Sequence, residues 1–255
     1  MATVLKIDMR RSRILEKLKR EGTVSVSQLA GELGATPVTI RSDLAALEAD
    51  GYLLRVQGGA VQTKRSAASG LRAQLRSPEK LAIAQTAASL VQDGDTVFMN
   101  SGTTMLAVAE ALSVRKNLNV VTNSLAVAAE LGSVPGFRVI LLGGEINAQY
   151  GFSYGSDAQE QLSHYQADWS IMSLDGVDPV AGLTTYHAEE ATINRMMIQR
   201  AKQLLVAADH KKVGKKGFFR FYEVGRGIQL ITDEKSSVGI LEALKEQGVT
   251  VAVAK

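Results

Sequence analysis

Apolar residues return at helical spacing three times in the first fifty positions. In Arg11–Arg20, Ile14, Leu15 and Leu18 recur among charges, which predicts a helix that Gly22 terminates. Val24-Ser25-Val26 reads as a short extended piece. Ser27 is the expected cap of a second helix, QLAGELG, with Leu29, Ala30 and Leu33 inward and Gly34 as its turn. Thr36 is the expected N-cap of a third helix, and Pro37 sits at its first position, where the missing N–H costs nothing. Ile40, Leu44 and Leu47 form its buried stripe. Val38, Arg41, Ser42 and Ala45 fall on the opposite face. Tyr52–Val56 then reads as a strand, Gly58-Gly59 as a tight turn and Ala60-Val61 as the return. Two helices, a turn, a third helix and a hairpin form a winged helix-turn-helix.

The pattern changes after residue 76. Candidate strands at Thr96–Asn100, Asn119–Thr122, Arg138–Leu142, Trp169–Leu174, Gln203–Ala207, Ile228–Thr232 and Val249–Ala252 alternate with candidate helices. The helices are expected at Glu79–Val91, Thr104–Leu112, Leu125–Leu131, Ala158–His164, Glu189–Arg200 and Ser236–Gln247. This alternation predicts a mostly parallel sheet with helices on both faces, an α/β domain. The expected organisation is a winged helix-turn-helix over residues 7–62, a small polar linker over 63–76 and the α/β domain over 77–255.

Ligands of open α/β sheets gather at the C-terminal strand ends, so the loops there carry the candidate chemistry. Asn100-Ser101-Gly102-Thr103-Thr104 follows the first strand and opens a helix, where free N–H groups and the dipole favour an anion. As a lone motif it is equally a capped turn. Asn123 and Ser124 follow the second strand, Gly143 and Gly144 the third, Asp175 the fourth, and the Asp209–Lys212 loop the fifth; Glu189 opens a helix between the last two. Five polar loops of this kind suit an anionic, hydroxyl-rich ligand.

Charge sharpens the division. Residues 1–76 hold 13 Lys/Arg against 7 Asp/Glu, a net +6, and the remainder carries 16 basic and 19 acidic residues, a net −3. A basic head on an acidic body points to a polyanion at one end. The chain has no cysteine, which excludes disulfides and thiol chemistry. No apolar run is long enough for a membrane helix, and no signal core follows the basic N-terminus, so a cytoplasmic protein without a membrane partner is expected. His164, His187 and His210 are scattered without metal-ligand spacing, and neither metal nor cofactor is expected.

The run T-x-x-T-I-R-x-D-L-x-x-L-x-x-x-G over 36–51, with R-x-x-G-G-A over 55–60, resembles the helix-turn-helix of the DeoR family of sugar-metabolism repressors. The later loops resemble that family's sensor domain, which implies the fold of ribose-5-phosphate isomerases. The resemblance spans residues 10–253. It implies an operator duplex contacted by Arg11, Ser27, Thr36, Val38, Thr39, Arg41, Ser42 and Arg55, and a phosphorylated sugar held by Asn100 to Thr104, Asn123, Ser124, Gly143, Gly144, Asp175, Glu189 and Lys212. It also implies a dimer or tetramer. Two adjacent arginines usually precede Asp-Leu in the family; here the pair is Arg41-Ser42, and Val38 replaces a polar residue, which predicts a different operator. Asn100 stands where the family has Asp, and Lys211 where it has a small hydroxyl residue. Thr184–Met197 is most similar to the branch that controls galactosamine or N-acetylgalactosamine use. The competing readings are an aldose–ketose isomerase of the same fold, which would not need the first sixty residues, and a protein-binding module.

Overall fold

The computed structural model describes residues 2–49, 52–61, 77–148 and 150–255. The chain divides into two compact units, residues 1–71 and 72–255. The expected linker over 63–76 lies outside the described residues.

The first unit contains α1 (Ala2–Glu21), β1 (Thr23–Ser25), α2 (Val26–Leu33), α3 (Pro37–Ala49), β2 (Leu54–Val56) and β3 (Gly59–Val61). Helix α1 begins well before the expected Arg11. Its Ile14 and Leu18, Leu29 of α2, and Ile40, Leu44 and Leu47 of α3 are all essentially inaccessible. One expectation needs correcting. Ser25, not Ser27, caps α2: it is extended, and its Oγ accepts from Gln28 N at 3.2 Å. Val26 therefore opens the helix instead of ending the strand, and Ser27 lies exposed within the first turn.

The wing is a three-stranded antiparallel sheet in the order β1-β3-β2. Thr23–Ser25 thus joins the hairpin read from the sequence. Gly59 makes this possible, because a Cβ there would sit 2.0 Å from the Val24 carbonyl oxygen. Asp43, on the inner side of α3, accepts from Arg10 Nε and from Arg11 Nε (3.1 Å), tying α1 to α3.

The second unit runs α4 (Pro78–Leu90), β4 (Thr96–Met99), α5 (Thr103–Leu112), β5 (Asn119–Thr122), α6 (Leu125–Leu131), β6 (Arg138–Leu141), β7 (Glu145–Asn147) and β8 (Phe152–Tyr154). It continues α7 (Ser156–Ser163), β9 (Ala167–Met172), β10 (Gly176–Asp178), β11 (Gly182–Thr185), α8 (Ala188–Gln199), β12 (Ala201–Ala207), β13 (Phe219–Tyr222), β14 (Ile228–Asp233), α9 (Val238–Glu246) and β15 (Thr250–Ala254). Seven strands form one parallel sheet in the order β15-β14-β12-β9-β4-β5-β6. Alternate residues feed two cores. Phe98, Leu204 and Val206 face one with Met197 and Leu244, while Val97, Met99, Leu205 and Ala207 face the other with Ile83 and Met105. Both faces being covered explains why the strands read as nearly continuous apolar runs.

Two additions were not legible in the strand pattern. The β7–β8 hairpin follows edge strand β6, and β10-β11-β13 form a separate antiparallel sheet. The chain winds outward from β4 through β5 to β6. It then returns to β9 on the other side of β4 and proceeds through β12, β14 and β15. The β4/β9 gap is therefore the topological switch point, where a parallel sheet opens a crevice at its C-terminal edge.

Substituting Gly59→Ala should destabilise the first unit by about 1–3 kcal/mol through overpacking against Val24. Calorimetry is expected to register an earlier transition for that unit with the second unit unchanged. An unshifted melt would contradict the close β1–β3 approach.

Candidate functional site

The crevice is built on Asn100, the residue immediately after β4. Its Oδ1 accepts from Ser173 N at 3.0 Å, and its Nδ2 donates to Ser173 O at 2.8 Å and to Asn194 Oδ1 of α8 at 3.1 Å. The side chain thus extends the β4–β9 pairing beyond the end of the ladder and is fully buried. Its polar atoms are committed to framing the crevice, so the structure does not leave them facing a ligand.

Gly102, at φ 128°, is the N-cap of α5 and brings no side-chain acceptor to the first N–H groups of the helix. The left-handed geometry itself demands glycine, since a Cβ would find ordinary contact with Ser173 at 3.5 Å. Around this open terminus stand Ser101, Thr103 and Thr104. Thr104 Oγ1 is buried with no hydrogen-bond partner. Lys80 of α4, 8% exposed, donates from Nζ to Thr103 Oγ1 at 2.8 Å. Uncapped N–H groups, hydroxyls and a buried ammonium together make a candidate anion cradle.

The carboxylate facing this cradle is not the expected one. Glu189 is exposed, near Tyr154, whereas Glu190 is 7% exposed and its Oε1 accepts from Ser101 Oγ at 2.5 Å. Both stand in the first turn of α8, where the sequence gives adjacent glutamates without saying which turns inward. Burial pushes the Glu190 carboxyl up to about 7; the Ser101 hydrogen bond opposes this and the charge of Asp175 adds to it.

Asp175, just after β9, is held by Thr185 Oγ1 (3.1 Å) and Tyr186 N (2.9 Å), and Lys212 Nζ lies 3.7 Å from its Oδ1. The loop that carries Lys212 is anchored by Val177 N donating to Lys212 O at 3.0 Å. Lys211, the departure from the family pattern, is exposed. The β7–β8 hairpin reaches the same region. Tyr150 packs on His187, the N-cap of α8, with ring centroids 4.3 Å apart, and Phe152 lies 5.9 Å from the same imidazole. Burial, followed by the charge of Asp175, raises the Tyr150 phenol above its ordinary range.

Asn123, after β5, is fully buried. Its Nδ2 donates to Ser153 O at 3.1 Å and its Oδ1 has no hydrogen-bond partner. Ser124 caps α6, accepting from Val127 N. Gly143 and Gly144 are not brought to the crevice. They end edge strand β6, two strands from β4; Gly143 N donates to Gln161 Oε1, and a Cβ on Gly144 would meet the Tyr154 carbonyl oxygen at 2.5 Å. Their role is close chain approach around the hairpin. Lys80, Glu190 and Tyr150 were missed as site residues, and His187 reads from sequence as a surface histidine that could also reach the pocket. The first two look like ordinary charges of a helix's first turn, and the aromatic contact depends on a hairpin the pattern did not disclose.

In the first unit, the outer face of α3 is open. Thr36 Oγ1 accepts from Thr39 N at 3.2 Å, capping the helix as expected. Val38 is 72% exposed, Arg41 and Ser42 are exposed, and Thr39 is half-buried. Arg55 is exposed on β2, with its backbone N–H donating to Glu48 at 2.7 Å. Arg11 departs from expectation: its side chain is 14% exposed and turned onto Asp43, a packing contact between helices instead of a free phosphate ligand. Among the described residues no cluster fits a metal ion, and no helix is long and apolar enough to cross a membrane.

Comparison with known proteins follows this division. Residues 10–66 match the family model of the DeoR-like helix-turn-helix domain, and residues 75–234 that of the DeoR C terminal sensor domain. The transcriptional repressor GlcR of Bacillus subtilis (strain 168) is 35% identical over 244 residues, 94% of this chain and 93% of its own. A putative aga operon transcriptional repressor of Escherichia coli O157:H7 is 31% identical over 247 residues, 95% and 92% of the two chains. Among solved structures, ribose 5-phosphate isomerase A of Methanocaldococcus jannaschii is 17% identical with a TM-score of 0.39, covering 52% of each chain. Both halves of the chain, in one order and over nearly its whole length, place it in the DeoR family of transcriptional regulators.

Proposed function

We propose that this chain is a repressor whose α3 face docks in the major groove of an operator and whose β4/β9 crevice takes a phosphorylated sugar. The observation that carries the effector reading is the uncapped start of α5 with the buried Lys80 ammonium and the unpartnered Thr104 hydroxyl beside it. The phosphoryl group would lie on Ser101 to Thr104 with Lys80 as counter-charge. Asp175, Lys212, Asn123 and Glu190 would face the sugar hydroxyls, and Tyr150 with His187 would offer an apolar wall to its C–H face. Asn100 acts one step back, by holding the strand ends apart at the right spacing.

On the duplex, Arg41 suits a guanine edge, Val38 a thymine methyl and Arg55 of the wing a phosphate. Several relatives are named as repressors, among them one of the glycerol-3-phosphate regulon of Escherichia coli (strain K12), 30% identical over 247 residues, which supports the same role. The aga operon repressor matches at 31% and GlcR at 35%, so the galactosamine branch is not singled out as the source of the effector. The reading places residues 7–62 on DNA and 77–255 on the effector, in a dimer that matches a two-fold operator. The effector would act by binding the DNA-competent and incompetent arrangements with different affinity. An isomerase would use the same acids and lysine catalytically; incubation with pentose and hexose phosphates should give no turnover.

Three predictions test this reading. Lys212→Ala should retain operator affinity and lose the response to those sugar phosphates that shift the wild type; loss of DNA binding as well would remove the assigned role. Arg41→Ala should weaken operator binding by about 1–3 kcal/mol, and Val38→Gln with Ser42→Arg should return a different preferred sequence in binding-site selection. An unchanged preference would show that the α3 face does not read bases.

A further inference from the structure

Glu190 occupies an unusual place: a buried carboxyl hydrogen-bonded to the first residue of a loop arranged to receive an anion. Its partner at 2.5 Å is the Ser101 hydroxyl, with the Ser101 backbone N–H beside it; the charge of Lys212 acts on it from a position 3.7 Å from Asp175, and Lys80 donates to Thr103 at 2.8 Å. The groups that face it come from every side of the crevice. Ser101 belongs to the β4–α5 loop, Asp175 follows β9, Lys212 follows β12, and His187 caps its own helix. Lys80 reaches the cradle from α4 and Tyr150 from the hairpin, while Glu189 on the same turn is exposed. A dianion at the helix terminus would put its oxygens on the same hydroxyl that Glu190 holds. Two negative groups cannot share one hydroxyl proton in a dry site without one of them gaining a proton.

We propose that Glu190 is a proton gate of the anion cradle: a doubly charged oxyanion binds Ser101–Thr104 only when the Glu190 carboxyl is protonated, so that each anion enters with one proton. Protonated Glu190 becomes a donor to the incoming oxygen, and Ser101 Oγ–H is released to make a second hydrogen bond. The proton comes from solvent and remains on the carboxyl, and no bond other than the O–H is made or broken. Burial, which pushes this carboxyl up to about 7, places the gate within reach of ordinary cellular conditions. The inference rests on the reading of Ser101–Thr104 as an anion site and adds a selectivity to it. Affinity for a dianion falls as pH rises, even when the ligand's own charge is constant.

Sulfate is the appropriate probe, because it stays a dianion between pH 6 and pH 9. Its binding to the full chain is followed at constant ionic strength through the backbone amide resonances of Ser101 to Thr104. The wild type should lose about 100-fold in affinity from pH 6 to pH 9, the limit for obligatory uptake of one proton by a group that titrates near 7. Glu190→Gln keeps an acceptor for Ser101 without a titrating charge, and its affinity should be the same at both ends of the range. His187→Gln, which removes the imidazole at the N-cap of the same helix, should change affinity at every pH and retain the slope. The fold of the glutamine variant is checked by melting. The raised carboxyl of Glu190 favours the folded state fully below about 4.5, and that contribution is lost as pH rises through 7; the variant should therefore melt no lower than wild type at pH 8. A pH-independent wild type, a slope retained in Glu190→Gln or a slope lost in His187→Gln would overturn the gate while leaving the anion site intact. Amides that do not move with sulfate at any pH would overturn the anion site itself, and the gate with it.

Discussion

The second unit depends on how two neighbouring strands of a parallel sheet are held at the point where the chain changes direction. β4 and β9 lie side by side and pair as far as Met99 and Ile171, but the connections leaving them run toward opposite edges of the sheet, so the ladder does not hold the chains beyond that point. Asn100 supplies that constraint. Its amide makes a two-way pair with the Ser173 backbone and a third bond to Asn194, at a site closed to solvent. A buried amide of this kind is stabilising only when its partners are in place, so it specifies one spacing and disfavours others. The open terminus of α5 and the Asp175–Lys212 pair are positioned by the loops that leave this junction.

Charge is then distributed in a particular way around the crevice. The carboxyl of Asp175 has three neighbours to satisfy it, Thr185, Tyr186 and Lys212, whereas Glu190 is held by Ser101 alone at hydrogen-bond distance, feels Lys212 only as a nearby charge, and sits in a costly position. Such asymmetry between two acids a short distance apart is how one site holds a fixed charge and a labile one together. The first unit uses ion pairing differently. Asp43 and its two arginines lock helices on the inner side, while Val38, Arg41 and Ser42 on the opposite face of α3 are exposed.

Much of this was legible in the sequence, and the reasons it was or was not are physical. The apolar stripe Ile40-Leu44-Leu47 and the seven strands could be read because burial on one face of a helix, or on both faces of a sheet, leaves a period or a continuous run. Glycine positions also spoke clearly, since Gly34 and Gly102 have left-handed backbones. The small antiparallel sheet and the β7–β8 hairpin were not read because strands such as Glu145–Asn147, Gly176–Asp178 and Gly182–Thr185 lack the continuous apolar run that marks the equally short β4, β5 and β6. Side-chain direction was the other gap. Composition cannot tell Glu189 from Glu190, nor reveal that Arg11 folds back onto Asp43 or that Lys80 turns into a crevice twenty-three residues away. Those choices are made by packing between elements that are distant in sequence.

The central claim joins a cationic groove reader to a crevice for a small phosphorylated metabolite in one polypeptide. Fluorescence anisotropy of the full chain on the DNA upstream of its own gene, at two salt concentrations and with a panel of sugar phosphates, addresses both halves together. The account predicts affinity that falls steeply with salt, as counterion release requires, and that at least one sugar phosphate shifts at fixed salt. Binding indifferent to salt, or a steep salt dependence that no member of the panel moves, would contradict it.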